Sequence, residues 1–405
     1  MTKSNYLEKL LNGAKVEWKK LGEIGIVSGA GVDKKKNKTE KPIKLLNYMD
    51  IYKNRYLDNK IPSMVVTATD KKIEQCNVLK GDIFFTPSSE VLNDIGKSAV
   101  VLENMEGVVY SYHIMRLRLN NPNIITSMFI NHIFSSDLVQ KQINKKAKGI
   151  TRFGLTKTQW EKIQVPLPPL PVQQEIVRIL DTFTELKTEL KTELTARKKQ
   201  YEYYRDKLLT PIEDNGKWFL NGKEVEWKKL GEVCKVFTGG EPPANLIKGE
   251  NPTSICKYPI FGNGAEVYGY TDTYRIDKDA VTISSIGANT GTIYFRKAFF
   301  TPIIRLKVVL PIKENLLSKY LFYYLSSINI YSKKSSVPNM NANDVKKIKI
   351  PIPPLEEQER IVSILDKFDT LTNSITEGLP REIELRQKQY EYYRDLLLSF
   401  PKEED

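Results

Sequence analysis

Apolar residues recur at helical spacing along two long stretches of the chain. In the first stretch the steps of three and four residues form a heptad pattern with one extra four-residue step, from Leu190 to Leu194, and Arg197 occupies the position between Leu194 and Tyr201. This pattern predicts a helix over residues 172–209, about 57 Å long at about 1.5 Å per residue. Its apolar and aromatic positions are Val172, Ile176, Ile179, Phe183, Leu186, Leu190, Leu194, Tyr201, Tyr204 and Leu208.

The second stretch, residues 356–398, carries a similar pattern with a helix-breaking pair inside it. Gly378 and Pro380 predict a kink or a break, since proline lacks an amide hydrogen and clashes with the preceding turn. Each helix can bury its apolar stripe against the other, which favours an antiparallel coiled-coil pair holding two domains apart. The apolar and aromatic positions are Ile361, Ile364, Phe368, Leu371, Ile375, Tyr390, Tyr393 and Leu397.

The remaining sequence has the alternation and composition of short strands mixed with short helices. DIFFT (82–86), AVTISSI (280–286) and GTIYFRKAFF (291–300) are rich in β-branched and aromatic residues, which favours strands. Residues 127–139 and 316–327 have apolar spacing near 3.6 and predict helices. The fold class is therefore α/β (α+β): two globular domains joined by two long helices.

The chain is a tandem duplication. Ordered blocks recur in both halves, while the segments between them share little sequence. This organisation predicts a first variable domain at 1–165, a central helix at 166–210, a second variable domain at 211–350 and a C-terminal helix at 351–405. The matching blocks are VEWKKLGEI (16–24) with VEWKKLGEV (225–233), VPLPPL (165–170) with IPIPPL (350–355), IVRILDTF (176–183) with IVSILDKF (361–368), and RKKQYEYYRDKLL (197–209) with RQKQYEYYRDLLL (386–398).

The composition indicates a cellular compartment and a class of binding partner. The 405 residues include 62 Lys+Arg and 49 Asp+Glu, a formal net charge of +13 that favours a polyanionic partner. No apolar run approaches the length of a membrane span, and the charged N-terminus does not resemble a signal peptide. Three cysteines without a CxxC pair fit a reducing cytoplasm, so we expect a cytoplasmic protein.

Motifs for catalysis are weak or incomplete. Gly96-Lys97-Ser98 resembles the end of a phosphate-binding loop, but Val91 stands where its first glycine belongs. Glu17-Trp18-Lys19 matches a short nuclease motif without a second acidic group near it. We expect His113 on a strand and His132 on a helix, both structural, and no metal site. A stand-alone methyltransferase or nuclease and a coiled-coil interaction scaffold stay open as alternatives.

Basic clusters at corresponding places in the two variable domains are the strongest functional signal. Recurrence favours contact with DNA phosphates, with neighbouring amide side chains reading base edges. The candidate DNA-binding residues are Lys34, Lys35, Lys36, Lys38, Lys145, Lys146, Lys148, Arg152, Asn263, Asn289, Lys333, Lys334, Asn339 and Asn341.

The order of variable domain, proline cluster and long helix, repeated twice, resembles the specificity (S) subunit of Type I restriction–modification systems. The most specific motifs are PLPPLPVQQEIVRILD, IPPLEEQERIVSILD, the two QYEYYRD endings and the TELK-TELK-TELT repeat at 184–195. YPIFGNGAEVYGYTD (258–272) and IGANTG (286–291) are similar to a common type of target-recognition domain.

The resemblance implies a non-catalytic subunit that binds double-stranded DNA. Each variable domain would read one half of a bipartite target, while the helices set the spacer and recruit two modification subunits. Restriction subunits that translocate DNA would complete the complex. S-adenosylmethionine, ATP and Mg would belong to those partner subunits, and this chain would need no cofactor.

Overall fold

The computed structural model describes residues 5–249, 251–287, 289–328 and 340–401. It divides into two compact units, each built from one variable domain and parts of the long helices. The first unit joins Met1–Glu189 to Ile383–Asp405, and the second is Leu190–Glu382.

The first unit contains two main sheets and several short helices. A four-stranded sheet has the order β5-β3-β10-β6 and a five-stranded sheet the order β2-β11-β7-β9-β4. The elements are α1 (Asn5–Leu11), β1 (Glu17–Lys20), α2 (Leu21–Ile24), β2 (Gly25–Ser28), β3 (Lys41–Leu46), α3 (Tyr48–Lys53), β4 (Tyr56–Leu57), β5 (Met64–Ala68), α4 (Asp70–Gln75), β6 (Asn77–Val78), β7 (Ile83–Phe85), β8 (Ser88–Ser89), a 3₁₀ turn (Leu92–Asp94), β9 (Ser98–Val101), β10 (Met105–Tyr110), β11 (Met115–Leu119), α5 (Ser127–Phe134), α6 (Asp137–Lys146), β12 (Phe153–Gly154), α7 (Lys157–Glu161), β13 (Gln164–Leu167) and the start of α8 (Leu170–Leu209).

The second unit repeats this plan, with shorter strands in the smaller of its two corresponding sheets. Its main sheet, β18-β24-β21-β22, corresponds to β2-β11-β7-β9, and the sheet β20-β19-β23 corresponds to β5-β3-β10. The elements are β14 (Ile212–Asp214), β15 (Lys217–Leu220), β16 (Lys223–Glu224), β17 (Glu226–Lys229), α9 (Leu230–Val233), β18 (Cys234–Thr238), β19 (Tyr258–Phe261), β20 (Gly269–Thr271), β21 (Ala280–Ile283), β22 (Ile293–Arg296), β23 (Thr301–Pro302), β24 (Lys307–Pro311), α10 (Ser318–Ser327), α11 (Ala342–Lys346), β25 (Lys349–Ile352), α12 (Leu355–Asn373) and α13 (Gly378–Leu397).

The predicted strands and helices of the variable domains are confirmed. The DIFFT segment forms β7, and the two β-rich segments of the second copy form β21 and β22. The strands β7 and β21 are buried because side chains on both of their faces lie within packed cores; Ile83, Phe84 and Phe85, for example, are fully inaccessible to solvent. In β22 the first three residues are half-buried.

A buried glutamine fixes each long helix to its variable domain. The side-chain oxygen of Gln173 accepts a hydrogen bond from Thr126 N at 3.0 Å, and its amide nitrogen donates to Ile124 O and Pro168 O. Gln358 makes the corresponding three bonds in the second unit, to Leu317 N, Asn315 O and Pro353 O. Both glutamines are completely buried.

The two long helices match the predicted lengths and the predicted break. The helix α8 is continuous over 40 residues, whereas the second long stretch is divided into α12 and α13. At the break Gly378 adopts φ +77°, and a Cβ there would lie 2.4 Å from Thr370 O. Glycine is required at this position because only a residue without a side chain fits both conformation and space.

Aromatic residues of the repeated QYEYYRD blocks form the interhelical seam, as predicted for Tyr201, Tyr204, Tyr390 and Tyr393. In the first unit Tyr393 stacks on Phe183, with ring centroids 5.1 Å apart, and Tyr390 is buried. In the second unit Tyr204 stacks on Phe368 at 5.7 Å, and Tyr201 lies 6.2 Å from the same ring.

Within each unit the paired helices are antiparallel. In the first unit residue numbers rise along α8 from Phe183 to Lys187 while those of the α13 partners fall from Tyr393 to Gln387. No described helix has both the length and the apolar character needed to cross a membrane.

Candidate nucleic-acid interface

The lysine-rich loop of the first unit begins next to a residue whose backbone is hydrogen-bonded to β10. Val32 donates its backbone hydrogen to Tyr110 O at 2.8 Å, and the chain then runs exposed to β3. Lys34, Lys35, Lys36 and Lys38 are all exposed on this loop. Lys35 pairs with Asp33 at 3.5 Å, but both groups are well hydrated, so the pair neutralises little of the loop's charge.

A second exposed loop follows α6 and is closed by backbone pairing. Lys148 and Gly154 bond to each other through both backbone groups, so the five residues between them project as a loop. Its tip carries Ile150, which is 96% exposed. Arg152 is exposed but anchored, since its Nε donates to Ser88 Oγ at 3.0 Å. Lys145 and Lys146 lie at the end of α6.

The turn between β10 and β11 brings these loops to one surface. His113 lies on this turn; its prediction as a strand residue is wrong, because β10 ends at Tyr110 and β11 begins only at Met115. The centroid of the Tyr112 ring lies 3.9 Å from that of the His113 ring, with the planes tilted by 35°, and Tyr112 is about half exposed. Partial burial, with the positive charges of Lys34 and Arg152, lowers the pKa of His113.

The positive charges acting on His113 come from both basic loops, which the sequence separates by more than 100 residues, and Asp33 of the first loop opposes them. Tyr112 N also donates to Val32 O at 3.2 Å, which places the turn against the lysine-rich loop. Lys34 also contributes to the electrostatics of Asp50 at the start of α3, whose pKa is raised by burial and lowered in part by that lysine. Lys34, His113 and Arg152 thus belong to one cationic surface, with the Tyr112 ring exposed beside them.

The second unit carries a different turn at the corresponding place, between β23 and β24. Ile304 and Arg305 are exposed there with φ of +51° and +58°. Non-glycine residues with positive φ are uncommon, and an aliphatic one such as Ile304 is a genuine outlier. Strain of this kind persists only where surrounding contacts hold it.

Three side chains hold the strained turn through its carbonyl groups. Asn263 Nδ2 donates to Ile304 O, while Ser285 Oγ and Lys307 Nζ donate to Arg305 O at 2.6 and 2.9 Å. Lys307 is almost completely buried, and that burial lowers its pKa. The backbone of Arg305 is therefore fixed, while its side chain is exposed to solvent.

Both the oxygen and the nitrogen of the Asn263 side-chain amide form hydrogen bonds that support this turn. Its oxygen accepts from Ser285 N at 2.7 Å while its nitrogen bonds Ile304 O. The loop next to it is fixed by Arg296, which donates to Gly264 O and Ala265 O, each at 2.8 Å. Burial lowers the pKa of Arg296 to about 10.

The other predicted residues of the second unit occupy separate positions. Asn289 is exposed on the loop between β21 and β22. Asn341 caps α11 by accepting from Asp344 N at 2.9 Å, as Thr156 caps α7 in the first unit. Lys333, Lys334 and Asn339 lie outside the described residues.

The groups considered for catalysis have structural surroundings. Glu17 and Lys19 form an exposed ion pair at 3.1 Å on β1, and Glu226 and Lys228 repeat it at 2.9 Å on β17. Within the described part of the chain no three His, Cys, Asp or Glu residues converge as a metal site. All three cysteines are buried, and burial raises the pKa of Cys234 to about 12.

Sequence and structure comparisons find relatives along the full chain. The family described as "Type I restriction modification DNA specificity domain" matches residues 14–197 and 222–385. The EcoR124I/EcoR124II specificity subunit of Escherichia coli is 37% identical, covering 100% of this chain and 99% of that protein. A putative Type I specificity subunit of Haemophilus influenzae is 33% identical over 98% of each chain.

The fold is also found among solved structures. An S subunit of a Type I restriction–modification system from M. genitalium superposes with a TM-score of 0.59, covering 97% of this chain and 98% of that one. The two sequences are 16% identical, so this likeness concerns the fold.

Proposed function

Because the chain belongs to the family of Type I restriction–modification DNA specificity subunits, we propose that each of its variable domains reads one half of a bipartite DNA target through one turn, which precedes β11 in the first unit and β24 in the second. The family assigns the chain to DNA recognition within a multisubunit complex, where it is not itself catalytic. It is thus neither a stand-alone methyltransferase or nuclease nor a general scaffold.

The observation that carries the proposal is the convergence of two basic loops around Tyr112 and His113. Exposed lysines neutralise backbone phosphates and position a protein on the duplex, without reading sequence. A turn that displays an aromatic ring and a neutral imidazole can read base edges, since the imidazole both donates and accepts hydrogen bonds. We assign phosphate contact to Lys34, Lys35, Lys36, Lys38, Lys145, Lys146, Lys148 and Arg152.

In the second half, Arg305 is the strongest candidate for base contact. Arginine binds guanine bidentately in the major groove, and the fixed backbone lowers the entropy lost on binding. Asn289 is exposed and can contribute, whereas Asn263 supports the turn from behind. The sequence-based assignment of Lys333, Lys334, Asn339 and Asn341 remains a prediction.

The chain assembles with other restriction–modification subunits, and we propose two modification subunits and the restriction subunits as its partners. The outward tyrosines of the QYEYYRD blocks suit such contacts: Tyr203 is 60% exposed and Tyr392 48% exposed. S-adenosylmethionine, and the ATP and Mg consumed in DNA translocation, would be bound by those partners, in the cytoplasm where the DNA is.

Two single substitutions test the assignment of the halves. Arg305→Ala is expected to relax the second half of the methylated motif and leave the first unchanged, while Tyr112→Ala does the reverse. Loss of one good base contact costs about 1–3 kcal/mol of discrimination, enough to reveal methylation at non-cognate bases. The readout is the methylated motif in cells that also express the modification subunit.

Arg275→Ala is the matched control for Arg305, since Arg275 is also exposed in the second unit but lies off the turn and bonds Glu241 O at 3.2 Å. An unchanged motif in both test variants would refute the role of the turns.

A further inference from the structure

A cleft in the first unit is lined by six positively charged side chains and one negatively charged one, Asp137. Its volume is about 750 Å³, within the range of small-molecule sites, roughly 300–1,000 Å³. Its walls come from the end of α3, the turn before β9, the helices α5 and α6, and the paired segments of α8 and α13. The cations are Lys53, Arg55, Lys97, Lys141, Lys187 and Arg394.

Arg55 is held at the wall of this cleft by two groups that are not carboxylates. Its Nη1 bonds His132 Nδ1 at 2.6 Å, and its Nη2 donates to Tyr390 Oη at 2.7 Å. Burial lowers the pKa of His132, so the ring is neutral at pH 7. Its Nδ1 therefore accepts from Arg55, and Nε2–H donates to Asp181 at 2.9 Å.

This arrangement fixes the guanidinium without neutralising it directly. Asp181 lies behind the imidazole, which separates the two charges. In the second unit the equivalent aspartate, Asp366, contacts a cation directly, with Lys319 Nζ at 2.6 Å, and accepts from Tyr323. The aspartate at this position of the repeat therefore neutralises Lys319 in the second unit. In the first unit it only orients Arg55, through His132.

The amide side chains around the cleft are already engaged within the protein. Asn131 donates to Arg55 O and accepts from Ser98 Oγ, and Gln140 donates to Phe134 O. Among the described residues, no carboxylate forms an ion pair with Lys53, Arg55 or Lys97, whereas Lys141 pairs with Asp137 at 3.5 Å and Arg394 with Asp395 at 2.7 Å. The cations of the cleft that have no carboxylate partner in the described part of the chain are thus Lys53, Arg55 and Lys97.

We propose that this cleft is a phosphate-binding site, suited to a polyphosphate such as that of a nucleoside triphosphate. A fixed guanidinium with surrounding ammonium groups matches closely spaced phosphate oxygens. The six positively charged side chains of the lining outnumber its single carboxylate, that of Asp137. The phosphates can come from a free nucleotide or from the DNA backbone, and the same variants distinguish these sources.

The experiment compares two double variants of the full-length chain. Lys53→Glu with Lys97→Glu reverses charge inside the cleft at exposed positions that the fold does not require. Lys60→Glu with Lys80→Glu makes the same change of net charge at exposed positions outside it. Calorimetric titration with ATP and with inorganic tripolyphosphate, without DNA and at fixed ionic strength, measures free-ligand binding.

The expected result is one site per chain, with affinity at least tenfold weaker in the cleft variant and within twofold of the original in the control. If neither probe binds but the cleft variant alone loses affinity for duplex DNA of any sequence, the backbone is the source and the phosphate assignment stands. Identical behaviour of the two variants toward all three probes would overturn it. The titrations with ATP and tripolyphosphate use no DNA, and the third probe is duplex DNA of any sequence, so none of the three results depends on the proposed half-site reading.

Discussion

Gln173 and its counterpart Gln358 show at the scale of single residues how the repeat positions its recognition surfaces. Replacing Gln173 by Ala leaves Thr126 N, Ile124 O and Pro168 O without their partner in a buried place. Each unsatisfied buried group costs about 1–3 kcal/mol, so we expect a loss of at least about 2 kcal/mol in the free energy of unfolding. Urea denaturation measures it.

The neighbouring Gln174 is exposed and provides the control. Gln174→Ala is expected to change stability by less than about 0.5 kcal/mol. Equal effects of the two substitutions would show that the buried amide does not hold the helix.

His132 predicts a dependence of stability on pH. Burial lowers its pKa below the usual 6.5, so below about pH 6.5 the unfolded chain binds a proton that the folded chain does not. Stability is therefore fully present above that pH and falls as the pH decreases, by at most about 1.4 kcal/mol per unit for this group. The lowered pKa of Asp181 acts only at more acidic pH.

His132→Gln should reduce the slope of unfolding free energy between pH 6.5 and pH 5, whatever it does to absolute stability. His113 is the only other histidine of the chain, and its pKa is also lowered, so His113→Gln is the matched comparison. A slope that is unchanged in the His132 variant would contradict a neutral buried imidazole between Arg55 and Asp181.

Residue types alone could not separate the residues that we propose to contact bases from the residues that hold them in place. The amides of Asn263 and Asn341 suit base edges, but the structure uses them to hold a turn and to cap a helix. Arg305 and Tyr112 carried no distinguishing motif. The exposure of these two side chains depends on strands that are distant in sequence. For Arg305 it also depends on a backbone with positive φ, which the local sequence pattern does not predict.

At the scale of elements, the spacing of apolar residues was sufficient for both long helices. It predicted the length of α8, the seam tyrosines and the break at Gly378, because these depend on local periodicity and on backbone limits of glycine and proline. Which segments share a compact unit was not available from that pattern. The first unit takes the end of α13 together with the start of α8.

The TELK repeat inside α8 predicts how the helix sets the spacer. Deleting residues 188–191 removes about 6 Å and turns the following segment by about 40°, since a helix rises about 1.5 Å per residue with 3.6 residues per turn. We expect the unspecified spacer of the target to shorten by one or two base pairs while both half-sites stay the same. The methylated motif of the variant reports both.

A deletion outside the helix is a useful comparison, because it should leave the spacer unchanged if the variant folds. Residues 213–216 lie on the exposed β14–β15 hairpin and serve this purpose. An unchanged spacer in the 188–191 deletion, or a changed half-site, would rule out this role for α8.

For the whole molecule, duplication explains why one chain can read two different sequences. The frame strands pair in the same register in both units: Glu17 lies opposite Leu167, and Glu226 opposite Ile352. On this common frame the two turns differ, with Tyr112 and His113 in one unit and Ile304 and Arg305 in the other. The two copies thus keep the support and vary the turns that we propose as the reading surfaces.

The measurement that tests this account most directly is the methylome of a host expressing the chain with its modification subunit. A host with the modification subunit alone is the control. The account predicts a new methylated motif with two short specified halves separated by a fixed gap. A contiguous motif would contradict two separate readers, and no new methylation from a complex whose assembly is confirmed by pull-down would contradict the role in DNA specificity.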